Sequence, residues 1–154
     1  MNQALVEVKR HSMELLNIYH GYTEFAELKC VCCPESMIEK LIIHHLSYHD
    51  DSVVYSQFTN TTTGRIQYYA MICTEIVRHH GSLRIMCMDC HTTMEDYVRQ
   101  VRRGELNSMQ DAEDEIPSHI LGMFYLTLER QKIISTEMTE AMWNRKFAND
   151  EEHL

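Results

Sequence analysis

The stretch that decides the fold runs Gly64-Arg-Ile-Gln-Tyr-Tyr-Ala-Met-Ile-Cys-Thr-Glu-Ile-Val-Arg-His-His80, then Gly81-Ser-Leu-Arg-Ile-Met-Cys-Met-Asp-Cys90 and on to Val101. In its first half Ile66, Tyr69, Cys73 and Ile76 recur at helical spacing, with Ala70 and Val77 widening the apolar stripe. Thr61, Thr62 and Thr63 offer N-cap oxygens just before it, and Gly81 supplies the flexible residue that ends it. The second half restarts at Ser82 and sets Leu83, Met86, Cys87, Cys90, Met94, Tyr97 and Val101 along one side. The spacing predicts two helices packed as a hairpin about Gly81. Just past that corner, Arg84 is the formal charge on an otherwise apolar run.

On the amino-terminal side, residues 2–20 read as an amphipathic helix with Leu5, Val8, Leu15, Leu16 and Tyr19 near one face, stopped by Gly21. Cys30, Cys32 and Cys33 fall in a short connection. Pro34 suits the first turn of a second helix, where no amide proton is needed. That helix carries Met37, Ile38, Leu41, Ile42 and Leu46 to about Tyr48, and Val53, Val54 and Phe58 anchor a brief turn after it. On the other side, Gly104 opens an acidic connection from Glu105 to Pro117. Ile120, Leu121, Phe124 and Leu128 then share a helix face, and Ser135 or Thr136 caps a last helix with Met138, Met142, Trp143 and Phe147. The polar end, residues 149–154, is expected to fray. No segment alternates as a strand does. The expected fold class is all-α: a single domain over residues 1–154, with a central hydrophobic helix hairpin surrounded by amphipathic helices.

Composition narrows the function. The 154 residues carry a net charge of −9, which disfavours a nucleic-acid backbone or an anionic membrane as partner. No apolar run is long enough to span a bilayer. No secretory leader is read at Met1–Lys9, so the expected location is cytoplasmic and the 6 Cys are read as reduced thiols. No Gly-rich phosphate loop, nucleophile elbow or His-Glu-x-x-His is present, and the chain is read as a binding protein rather than an enzyme.

Laid out this way, the chain resembles the Bcl-two family of apoptosis regulators. Ser56-Gln57-Phe58, then Gln67, Tyr69, Glu75-Ile76 and Arg78, resemble the family's third-to-fourth helix segment. His80-Gly81-Ser82-Leu83-Arg84-Ile85 is similar to its first homology motif, usually Asn-Trp-Gly-Arg-Ile. Leu15 to Tyr22 is similar to its opening helix, and Ala141-Met142-Trp143 through Phe147 echoes its carboxy-terminal Gly-Gly-Trp. The Trp-Gly pair has become Ser82-Leu83, the hydrophobic anchor of many members is absent, and Met37 to Ile42 lacks the Gly-Asp of the death-signal motif. The likeness is therefore to a receptor for death-signal helices, in the short form carried by large DNA viruses.

The resemblance implies an inhibitor of apoptosis that sequesters pro-apoptotic helices of Bim, Bak or Bax type in an apolar groove. Its wall would be Ile43, Leu46, Val54, Ile72, Ile76, Ser82 and Leu83, with Glu75 at the rim and Trp143 closing one end. Arg84 would pair with the ligand's aspartate. A homodimer covering the groove, and recruitment to the mitochondrial surface through partners, are compatible with this reading. Taken alone, the apolar residues read as core, Arg84 as a solvated first-turn cation, and Glu75 with Arg78 as a local ion pair.

The thiols supply the competing class, a metal- or haem-carrying bundle using Cys87, Cys90 and His91. Cys87-Met88-Asp89-Cys90-His91 matches the pattern for covalent c-type haem attachment, but that chemistry needs export. Cys30, Cys32 and Cys33 could join Cys87, Cys90 or His91 around zinc, yet Cys-x-Cys-Cys is not the usual two-pair knuckle. Two buried thiols in a helical stripe are the simpler account, so no metal or cofactor is expected.

Overall fold

The computed structural model describes residues 2–22, 26–104 and 113–148. The acidic connection expected after Gly104 lies largely outside them, as does the polar end. The described residues are mostly helical, in two compact units, residues 1–88 and 89–154.

The first unit opens with α1 (Gln3–Tyr19), capped by the Asn2 side chain, which accepts from the amides of Ala4 and Leu5. Its buried face is Leu5, Val6, Lys9, Ser12, Met13 and Leu16, so two polar residues stand among the apolar ones. Helix α2 (Thr62–His79) packs against α1. Thr61 caps it, its Oγ1 accepting from Gly64 N at 3.0 Å, one of the caps the threonine run offers. The inward face of α2 is Tyr68, Tyr69, Ile72, Glu75 and Ile76, whereas Ala70 and Val77 point to solvent. The apolar stripe is thus narrower than the sequence suggested, and it carries a carboxylate.

Two segments correct the all-helical expectation. Leu41–His45, expected inside a second helix from Pro34, is a strand, β1. Leu83–Cys87, expected as the first turns of the hairpin's second helix, is its antiparallel partner β2. Ile43 faces Ile85, Leu41 faces Cys87 and His45 faces Leu83. Residues 34–37 are irregular, and a 3-10 turn at Ile38–Lys40 leads into β1. The physical reason is burial on both sides. Each strand has four buried residues in five, so the polar alternation that marks a half-exposed strand never forms. A short apolar run of that kind has no periodicity to separate it from a buried helix. The β-branched residues Ile42, Ile43 and Ile85 favour the pleat.

After α2 the chain turns through His80–Ser82 and enters β2, so Gly81 sits between a helix and a strand. Helix α3 (Met88–Arg103) begins only where β2 ends. In the second unit, α3 buries Cys90, Met94 and Val98. Helix α4 (Ser118–Arg130) buries Ile120, Leu121, Phe124 and Leu128, as its spacing predicts, together with Tyr125. Helix α5 (Thr136–Trp143) is capped by Ser135, whose Oγ accepts from Met138 N at 3.1 Å, and packs on α4 through Met142. Trp143 lies against Gly122 but keeps 46% of its surface exposed.

Candidate metal centre

Two pairs of cysteines share one spacing, Cys30-x-x-Cys33 and Cys87-x-x-Cys90. The first pair lies on the bend at residues 31–34, where Cys30 N donates to Glu35 O at 2.9 Å. The bend is held to the sheet by its backbone: Val31 N donates to Ile85 O at 2.9 Å, on the side of β2 away from β1. That bond brings Cys33 to the end of β2, where Cys33 Sγ lies 3.6 Å from Cys87 Sγ. Cys87 is the last residue of β2, and Cys90 follows in the first turn of α3, so the chain's own turn sets it beside Cys87.

The sulfurs of Cys30, Cys33, Cys87 and Cys90 all lie within 4.8 Å of one another. A tetrahedral zinc thiolate has Zn–S bonds of about 2.3 Å, which puts neighbouring sulfurs about 3.8 Å apart. The Cys33–Cys87 separation already meets that edge. Cys30, Cys87 and Cys90 are buried, while Cys33 is half-buried.

The electrostatics of the bend favour thiolate. Cys30 is held far below the usual thiol range, to about 4. The largest cause is the hydrogen bond from the Cys32 thiol; backbone amides of Cys87, Cys32 and Cys33 add to it, and burial opposes it. Cys32 N stands 3.3 Å from Cys30 Sγ. Turns in which amides point back at the first sulfur of a pair stabilise its anionic form, which is the form a metal takes. Cys87 and Cys90 meet at the amino-terminal turn of the 16-residue helix α3.

The residues expected to line a groove lie elsewhere. Ile43, Leu46, Ile72, Ile76, Ser82 and Leu83 are buried in the first unit, and Val54 is half-buried. Glu75 is not at a rim. Its side chain is fully buried: Oε1 accepts from Val53 N at 2.5 Å, and Oε2 lies 2.8 Å from His45 Nε2 in an alignment that makes no hydrogen bond. The expected Glu75–Arg78 pair is replaced by Arg78 with Asp51, at 3.1 Å on the surface. Arg84 stands in β2 rather than at a helix start, half-exposed, and its Nη1 donates to the carbonyls of Gly81 and Leu83. His91 is half-exposed, 3.9 Å from Glu95 one helical turn on.

Sequence reasoning weighed these thiols and misjudged their spacing. Cys32, between Cys30 and Cys33, made the run look like Cys-x-Cys-Cys and hid an ordinary two-residue spacer. The signal was the repeated Cys-x-x-Cys, which two pairs in one chain make specific. No family model, no curated protein and no solved structure matches the chain.

Proposed function

We propose that the chain is a metal-binding protein holding one zinc ion through Cys30, Cys33, Cys87 and Cys90. The observation that carries this is the convergence of four sulfurs within 4.8 Å from two Cys-x-x-Cys pairs. Four thiolates fill the tetrahedral shell and leave no open position for water or substrate, so the ion's role is structural. It ties the bend at residues 30–33, which has no helix or strand of its own, to the junction of β2 and α3. Iron is the other first-row metal that suits four thiolates.

The test is the metal content of the purified chain, followed by exchange for cobalt. A tetrahedral cobalt thiolate reports itself by strong visible absorption. One zinc per chain is expected, lost in Cys30→Ser, Cys33→Ser, Cys87→Ser and Cys90→Ser but retained in Cys32→Ser and Cys73→Ser. A chain that takes up neither zinc nor iron, or that keeps its metal in all four ligand variants, overturns the reading.

The resemblance to the Bcl-two family supplies a second reading, capture of a pro-apoptotic helix. Its support in the structure is Arg84, which reaches the surface beside Gly81. The burial of most expected groove residues leaves it less supported than the metal reading. Titration with a Bim-type peptide tests it, and Arg84→Glu is expected to weaken binding at least about thirtyfold, or about 2 kcal/mol. No binding by the native protein, or equal binding by a folded Arg84→Glu variant, removes this reading and leaves the zinc site untouched.

A further inference from the structure

We propose that Cys33 and Cys87 are a redox switch on the metal site: a hydroperoxide oxidises this pair to a disulfide and so discharges the ion. The discharge rests on the zinc reading above, while the choice of pair rests on geometry in the first unit.

Three observations select the pair. Cys33 is the half-buried thiol of the four, whereas Cys30, Cys87 and Cys90 are 2%, 5% and 4% exposed, so a small oxidant reaches Cys33 first. Its sulfur is already 3.6 Å from Cys87 Sγ. Closing to a bond of about 2.05 Å needs only a small movement of a bend that is itself neither helix nor strand, and whose tie to β2 is at Val31, two residues before Cys33. Cys30 is the poorer nucleophile, because the amide of Cys32 points at its sulfur and draws charge from it.

The chemistry balances. The Cys33 thiolate attacks one oxygen of the hydroperoxide, the O–O bond breaks, and a sulfenic acid forms as an alkoxide (hydroxide, from hydrogen peroxide) leaves. The Cys87 thiolate then attacks the Cys33 sulfur and expels hydroxide. The two thiolates together lose two electrons and the hydroperoxide gains them. Two protons from solvent convert the departing oxygens to water and an alcohol, or to two waters. Both sulfurs have then lost their charge, and the ion is left with two thiolates in place of four.

The test uses full-length zinc-loaded protein, both wild type and Cys32→Ser. That variant keeps all four ligands and leaves Cys30 and Cys33 as the thiols of the bend. Hydrogen peroxide is added, released zinc is followed with a chromophoric chelator, and unreduced tryptic peptides are sequenced by tandem mass spectrometry. The expected result is one zinc released per disulfide, with Cys33 joined to Cys87. A link between Cys30 and Cys33 or between Cys87 and Cys90, zinc retained after the thiols oxidise, or no disulfide at all overturns the switch and leaves the metal reading standing. A chain that takes up no zinc before peroxide is added overturns the metal reading, and the discharge with it.

Discussion

Lys9 and Glu75 show what single buried polar groups do in the first unit. Lys9 is 4% exposed on the core face of α1, its ammonium 5.6 Å from the centre of the Tyr69 ring and 3.4 Å from Glu39 O. Burial pushes its amine down to about 8 from 10.5, with Glu39 opposing the shift and Arg65 adding to it. A lysine whose folded value is depressed makes the unfolded chain bind more protons between those two values, so its contribution to stability rises with pH across that window. Above about 10 the tyrosines pull the other way, because burial raises Tyr68 and Tyr69 and their unfolded forms ionise first. Chemical denaturation from pH 7 to 10 should therefore show the native chain gaining on Lys9→Met as pH rises, with Lys9→Met the more stable at pH 7. Glu75 is a second buried polar group, held by the Val53 amide with the His45 ring beside it. Glu75→Ala leaves the buried Val53 amide without its acceptor and should cost about 1–3 kcal/mol. An unchanged melting temperature in that variant would show that Glu75 is not the buried anchor described. Neither residue was legible as buried from sequence. Lys9 and Glu75 fall on helical faces whose apolar neighbours are read first, and a charge among them looks like the edge of the stripe.

At the scale of elements, the helices were legible and the strands were not. Asn2, Thr61 and Ser135 mark three helix starts by side chains that accept backbone amides, and the face of α4 follows from 3.6-residue spacing, whereas α1 buries Val6, Lys9, Ser12 and Met13 in place of the expected Val8, Leu15 and Tyr19. Gly64 adds a position where the helix rule gives the wrong sign. Alanine is the better helix former by about 1 kcal/mol, yet a Cβ there would run into the Thr59 carbonyl and hydroxyl. Gly64→Ala should therefore destabilise by about 1–3 kcal/mol, measured by thermal or urea melts, and a gain in stability would mean that the Thr59 turn moves aside freely. The strands stayed hidden for a reason visible in Leu83 to Cys87. Leu83, Met86, Cys87 and Cys90 continue the spacing of α3, but that spacing is real only from Met88 onward. The arginine that looked like a helix-start cation is a strand residue facing His44 across the sheet.

For the molecule as a whole, the mostly helical content agrees with the expected class at its coarser level, and among the described residues no helix is long and apolar enough to cross a membrane. Zinc should act on global stability. An ion that binds only the folded chain adds about 4 kcal/mol when its free concentration is a thousand times its dissociation constant. Chelation should therefore lower the melting temperature by many degrees, and zinc should restore it. An equal melt with and without chelator would mean that the thiols pack without metal. The bond from Val31 to Ile85 gives that loss a second meaning. The bend lies along the outer side of β2 as a short third strand would, so it shields peptide groups that a two-stranded ribbon otherwise presents to solvent. If the proposed ion is removed, that single backbone bond is what still holds the bend, and where it opens β2 would be a template on which another extended chain can add. On the zinc reading the ion would then guard against self-pairing as well as add stability. Light scattering in chelator should climb with protein concentration and stay flat in the zinc-loaded protein, making solubility rather than unfolding the first thing the ion protects.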